Sequence, residues 1–191
     1  MISAILLAAG KSERMGKFKQ LLPIDGKTFV EACVDNLLAS RAGEVIVVTG
    51  YNRAAVRATL LHKPVRIVDN PDYETGMASS VIRGVQCVAS QSSGVLIALA
   101  DQPLIGPHVL NQVMSEYEDK SPLILIPTYK GKKGHPIILN PSINHEIFAM
   151  DPQIGLRQVI EAHARSIMFV EVTSDSVLID FDYPEDLNLL P

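Results

Sequence analysis

Positive charge is in short supply: 17 Lys and Arg stand against 21 Asp and Glu, for a formal net charge of -4. That balance argues against nucleic acid or an anionic membrane as a partner, since both call for excess Lys and Arg. Cysteine is scarcer still. Cys33 and Cys87 are the only two, neither lies in a C-x-x-C pair, and both fall in apolar helical patterns that suit buried free thiols. The expected compartment is a reducing cytoplasm. No apolar run approaches membrane-spanning length and no charged-then-apolar leader precedes Ile2, so the chain is expected to be mature, soluble and intracellular. Two familiar phosphate-binding patterns are also missing. A P-loop has four residues between its glycines and Lys-Ser/Thr after the second, whereas five separate Gly10 from Gly16 and Phe18 follows Lys17. The dinucleotide pattern G-x-G-x-x-G fails because no glycine stands at position 12 or 13, which argues against an oxidoreductase.

What is present is 191 residues, 47% of them hydrophobic, enough for one globular domain over residues 1–191 with a sizeable core. Short apolar runs alternate with segments of helical period, the mark of an α/β sheet with helices on both faces. Strands are expected at 3–8, 44–49, 65–68, 94–100, 123–127, 136–139 and 168–172, with a last strand at 176–179. Helices are expected at 28–40, from Asn52 as a cap to about Leu61, at 78–89, from Pro107 to Tyr117, at 142–150 and at 153–163.

The stretch from Ile5 to Pro23, ILLAAGKSERMGKFKQLLP, reads as a strand emptying into a loop that carries Lys11, Arg14, Lys17 and Lys19. Glycine lets backbone N–H groups approach phosphate oxygens closely, and long cations neutralise them. A surface loop with solvated lysines is the plain alternative. Three further places carry chemistry. Gly76-Met77-Ala78-Ser79-Ser80 starts a helix whose free N–H groups and hydroxyls suit a polar ligand or an ordinary serine cap. Asp101 stands at the C-terminal end of an apolar strand, the edge where open α/β sheets bind ligands; a turn or cap before Pro103 is the alternative. Asp180, Asp182, Glu185 and Asp186 place four carboxylates in seven residues. Glu185 and Asp186 suit a helix start after Pro184, while the first two need a cation or solvent.

The order L-A-A-G-x-S-x-R-M-G-x-x-K-x-L-L-P resembles the N-terminal signature of the nucleotidyltransferases, and among them of molybdenum cofactor cytidylyltransferases of the MocA type and their MobA-like relatives. N-P-x-x-x-x-G-M-x-x-S-x-x-x-G, A-D-Q-P-L, G-x-x-G-H-P and D-x-D-x-P-E-D-L resemble the family's later motifs, along nearly the whole chain. The resemblance implies a Rossmann-like three-layer α/β/α nucleotidyltransferase fold with a mostly parallel central sheet. It implies that Leu7, Ala8, Ala9, Gly10, Lys11, Ser12, Arg14 and Lys19 wrap a nucleoside triphosphate, with Lys19 at the α-phosphate and Arg14 and Lys11 on the leaving phosphates. Asn70, Gly76, Met77 and Ser80 would line the pocket for base and ribose. Asp101 and Asp182 would hold Mg²⁺, with Mn²⁺ as a substitute, making Lys19, Asp101 and Arg14 the catalytic set. Gly134, His135 and Arg157 would face the acceptor. Gln153 replaces the family's acidic residue in the loop before Arg157, and Tyr183 its threonine beside Pro184.

The implied reaction moves CMP from CTP to the phosphate of molybdenum cofactor, with pyrophosphate released. CTP rather than GTP follows from Ala9, where guanylyltransferases carry glycine. The implied partner is a molybdenum hydroxylase such as xanthine dehydrogenase. Two other readings stand beside this one: transfer to a sugar or polyol phosphate, and a non-catalytic accessory protein that binds nucleotide or cofactor during hydroxylase maturation.

Overall fold

The first strand sets the architecture, because it is buried along its whole length and on both faces. In β1 (Ile2–Ala8) the even-numbered residues Ile2, Ala4, Leu6 and Ala8 join one apolar cluster, while Ile5 and Leu7 join another. A strand with two apolar faces has to be covered twice. The computed structural model, which describes residues 1–190, shows how.

In chain order β1 is followed by β2 (Pro23–Ile24), β3 (Lys27–Thr28), α1 (Phe29–Leu38), β4 (Glu44–Thr49), α2 (Arg53–Thr59), β5 (Arg66–Asp69), α3 (Met77–Val85), β6 (Gly94–Leu99), α4 (Pro107–Lys120), β7 (Ile124–Tyr129), β8 (Lys132–Lys133), β9 (Ile137–Leu139), α5 (Asn144–Ala149), α6 (Leu156–Ala162) and β10 (Ile167–Glu171). The sheet runs β10-β7-β9-β6-β1-β4-β5, with β8 paired to β7 off this path. β9 is antiparallel to both neighbours and β8 to β7; the other pairs are parallel. Helices α1, α2 and α4 cover the face that Leu6 points to, and α3, α5 and α6 cover the face of Ile5. This is the expected three-layer α/β/α arrangement with a mostly parallel sheet. No helix among the described residues is long and apolar enough to cross a membrane.

A small third cluster lies at one end of this sandwich, where buried Met15, Ile24, Phe29 and Phe181 pack together. It joins the loop after β1, the β2–β3 hairpin, the start of α1 and the segment after β10. The hairpin turns at Asp25 and Gly26, both with positive φ, a two-residue Asp-Gly turn whose twist suits adjacent antiparallel strands. Thr28 caps α1 in a reciprocal box, its hydroxyl accepting from the Glu31 amide while the Glu31 carboxylate accepts from the Thr28 amide.

Several expected elements differ in detail. Residues 176–179 are not a strand: Asp175–Leu178 forms a 3-10 turn after Ser174, whose side chain accepts from the Ser176 amide. Asn52 adopts a left-handed conformation (φ 51°) and makes no side-chain cap, so α2 starts without one. Helix α3 stops at Val85, and Cys87 lies beyond it at half-buried exposure. The turn at 130–136 is anchored by Glu171, which accepts from the Lys130 amide and from Thr128 Oγ1.

Candidate active site

Parallel pairing puts the C-terminal ends of β1, β4 and β6 on one edge, and the loop after β1 folds back over it. Gln20 holds that loop closed. It is 3% exposed, its Nε2 donates to the Gly10 carbonyl at 3.1 Å, and its Oε1 accepts from Ser12 Oγ at 3.0 Å. Ser12 in turn accepts from the Lys19 amide at 3.2 Å and sits in the left-handed region at φ 59°. The brace turns Lys19 inward.

Lys19 Nζ donates to Asp101 Oδ2 at 2.6 Å and to Asp182 Oδ1 at 2.8 Å. Burial disfavours its charge, but the two carboxylates outweigh that and hold its pKa above the ordinary lysine value. The Lys19 hydrogen bond in turn pulls Asp182 down, against its own burial. Asp180 goes the other way, raised by burial and by repulsion from Asp101.

Asp101 and Asp182 are distant in sequence, and Phe181 brings them together. Its ring is fully buried at 5.0 Å from that of Phe29, and its amide donates to the Asp101 carbonyl at 3.2 Å. Burying Phe181 therefore forces the next side chain toward the end of β6.

Asp101 Oδ1 is buried without a hydrogen-bond partner among the described residues. An orphaned carboxylate oxygen is costly unless something else meets it, and a hard divalent cation is suited to do so. Among the described residues no group of three or more His, Cys, Asp or Glu could hold a metal. Asp101 and Asp182 alone fit Mg²⁺ or Mn²⁺ in the way Mg²⁺ prefers, with phosphate oxygens and water completing the shell.

Two cavities meet at this point, and a third adjoins the second. The first, about 380 Å³, is lined by Gly10, Lys11, Ser12, Arg14, Lys19 and Asp182, with Tyr73 and Glu74 across from them. Arg14 reaches Asp182 at 2.7 Å and Lys11 reaches Glu74 at 2.7 Å, while Lys17 is exposed. The second cavity, about 280 Å³, takes in Leu7, Ala9, Gly10, Gly76, Met77, Ser80 and Asp101. The third, about 500 Å³, shares Leu7, Met77 and Leu99 with the second and is walled by aliphatic side chains, with Lys133, Gly134, His135 and Arg157 among its polar residues.

Gly134 donates to the Pro127 carbonyl at 2.9 Å and the His135 amide to that of Val177 at 3.0 Å. A Cβ at Gly134 would collide with the Val177 carbonyl, so only glycine lets this segment lie against the 3-10 turn. Burial lowers the His135 pKa despite Asp101 and Asp180 nearby, which favours the neutral ring. Arg157 is exposed and pairs with Glu161 one turn on, at 2.6 Å.

Of the residues expected to meet nucleotide, metal or acceptor, all but two line these cavities. Ala8 is wholly buried in the α1 and α4 layer. Asn70 is 3% exposed and spent internally, donating to Ser79 and Ser80 Oγ and accepting from the Asp72 amide. It shapes the turn before α3 from behind the wall. Nor do the serines cap α3: its N-cap is Gly76, with no side-chain cap, and Ser79 Oγ donates back to the Gly76 carbonyl. Gln20, Tyr73, Glu74 and Lys133 escaped notice.

Residues 4–167 match the family description MobA-like NTP transferase domain. Nicotine blue oxidoreductase of Paenarthrobacter nicotinovorans is 27% identical over 199 residues, covering 97% of this chain and 94% of the relative. Molybdenum cofactor cytidylyltransferase of Escherichia coli K12 is 26% identical, covering 97% and 93%. A solved nucleotidyl transferase from Methanothermobacter thermautotroptrophicus superposes with a TM-score of 0.85 at 26% identity, covering 100% of this chain and 96% of that one. With its fold, its cationic loop and its paired aspartates accounted for, this chain belongs to the MobA-like NTP transferase family and is a nucleotidyltransferase.

Proposed function

We propose that the chain transfers CMP from CTP to the phosphate of molybdenum cofactor, releasing pyrophosphate and forming molybdopterin cytosine dinucleotide. The observation that carries this reading is Lys19 held between Asp101 and Asp182, on the wall common to the cationic cavity and the one that takes in Gly76, Met77 and Ser80. In the reaction an acceptor phosphate oxygen attacks the α-phosphorus, the bond to the bridging oxygen breaks, and pyrophosphate carries off the electron pair. The acceptor phosphate is already nucleophilic near neutral pH, so positioning and charge neutralisation supply most of the rate.

Lys11, Arg14 and the loop amides hold the leaving phosphates, and Lys19 lies at the α-phosphate. Mg²⁺, or Mn²⁺ in its place, would be held by Asp101 and Asp182 and would neutralise phosphate charge. Gly76, Met77 and Ser80 line the base and ribose side, where the Ala9 methyl narrows the space and favours a pyrimidine. Neutral His135, with Gly134 and Arg157, orients the acceptor.

The third cavity supports a ring-bearing acceptor over a sugar or polyol phosphate. Leu7, Val81, Ile97, Leu99, Ile126 and Ile160 offer apolar contact to the faces of a ring, leaving Lys133, His135, Arg157 and Glu161 as the polar groups of the cavity. The likeness to nicotine blue oxidoreductase means that missing dinucleotide glycines do not by themselves dismiss redox chemistry in this fold. Cations converging with paired carboxylates are a polyphosphate arrangement, however, and hydride transfer calls for neither. The product would pass to a molybdenum hydroxylase such as xanthine dehydrogenase.

Single-turnover pyrophosphate release with CTP, Mg²⁺ and molybdenum cofactor tests the reading. Lys19→Ala and Asp101→Ala are expected to lose about 10²-fold or more, and sugar phosphates to give no turnover. Wild-type rates in both variants would sink the mechanism, a preference for GTP would sink the base assignment, and cofactor transfer without pyrophosphate release would favour an accessory role.

A further inference from the structure

Each cation lining the phosphate cavity already has a carboxylate partner. Arg14 pairs with Asp182, and Lys19 with Asp101 and Asp182; those two acids have a use of their own as candidate cation ligands. Lys11 pairs with Glu74, which has no such use and approaches from the opposite wall.

Glu74 is presented by a braced turn. The 3-10 turn Tyr73–Thr75 is fixed by Asn70 Oδ1 accepting the Asp72 amide at 3.0 Å, and by the Asp72 carbonyl accepting from the Thr75 amide at 3.0 Å and hydroxyl at 2.8 Å. Tyr73 seats tightly beside it, since a Cβ on Gly50 would come within 2.5 Å of the Tyr73 Cβ. Lys11 Nζ in turn lies 5.8 Å from the Tyr73 ring centroid. The carboxylate is therefore aimed at Lys11 by neighbours that are themselves fixed.

We propose that Glu74 is a resident counter-charge that competes with bound pyrophosphate for Lys11 and so promotes product release. This rests on the reading in which Lys11 holds the leaving phosphates. An anion departing a cationic cavity leaves an unpaired ammonium behind, and a carboxylate poised 2.7 Å away takes its place. The same pairing opposes binding of the incoming triphosphate, so Glu74 trades nucleotide affinity for turnover. Glu74 is 64% exposed and Lys11 38%, and an open pair is worth little, which limits the effect to about two- to fivefold.

The test is calorimetric titration of the full chain with inorganic pyrophosphate and Mg²⁺. Glu74→Gln is expected to bind pyrophosphate about two- to fivefold more tightly, Glu74→Asp to stay near wild type, and Lys11→Gln to bind more weakly. In the Lys11→Gln background, Glu74→Gln is expected to change nothing. Unchanged or weaker binding in Glu74→Gln, while Lys11→Gln weakens it, would overturn the proposal and leave the phosphate reading intact. Equal tightening in both backgrounds would also overturn it, because removal of any negative charge would then suffice. Normal binding in Lys11→Gln would instead remove the underlying assignment of Lys11. Thermal melts of each variant identify any that fail to fold.

Discussion

His135 lies between an aliphatic cavity and two aspartates, and burial wins: its folded pKa is below the ordinary 6.5. In acid the unfolded chain therefore binds this proton more readily than the folded one. Stability from the neutral ring is complete above about pH 6.5 and is lost as pH falls toward the folded value. Melting temperatures between pH 7.5 and 5.5 are expected to drop in the wild type and to drop less in His135→Gln. Parallel curves would mean that the imidazole is indifferent to its surroundings. Individual residues were legible where chemistry and position coincided. Asp101 ends an apolar strand and Lys19 ends a cationic loop, so type and place both pointed to the site. Glu74 and Gln20 were not legible, because their roles depend on partners contributed by other turns: Lys11 for one, Ser12 and Gly10 for the other. Ala8 and Asn70 lie off these cavities for a reason of the same kind. A motif gives proximity to a ligand without saying which side chains face away from it.

Helix α3 lies so close to the sheet that a Cβ at Gly84 would be 2.6 Å from Ile5 Cγ2 and 3.2 Å from Val48 Cγ2. Gly84→Ala must lift the helix or push both strands, a forced overpacking of about 1–3 kcal/mol. Urea unfolding should show a lower midpoint with an unchanged slope, and because α3 carries Met77 and Ser80, KM for nucleotide should rise as well. An unchanged midpoint would show that the layer is slack here. At this scale the major strands and helices were readable from apolar period alone. The turn at 175–178 was not, since Ser-Val-Leu-Ile has strand composition while Ser174 bonds its own backbone two residues on. The β2–β3 hairpin went unseen although Asp25-Gly26 announces it, because two-residue strands carry no period to detect.

Across the whole molecule the two large apolar clusters and the small one differ in kind. The large clusters are built on strands that pair along their length, whereas the cluster of Met15, Ile24, Phe29 and Phe181 is held mostly by loops and one short hairpin. Small cores bury little surface and open at lower free energy than the structure around them. Cys33, buried with its thiol pKa pushed up by burial, sits in a large cluster and reports on it. Loosening of this small core would act as a thermal fuse, freeing the loop after β1 through Met15 and Asp182 through Phe181 together. On slow heating, pyrophosphate release is expected to fail several degrees before Cys33 becomes reactive to a thiol reagent, and to recover on cooling. Simultaneous loss would place the fuse inside the main transition. Catalysis in this chain would then switch off with heat before the fold is at risk.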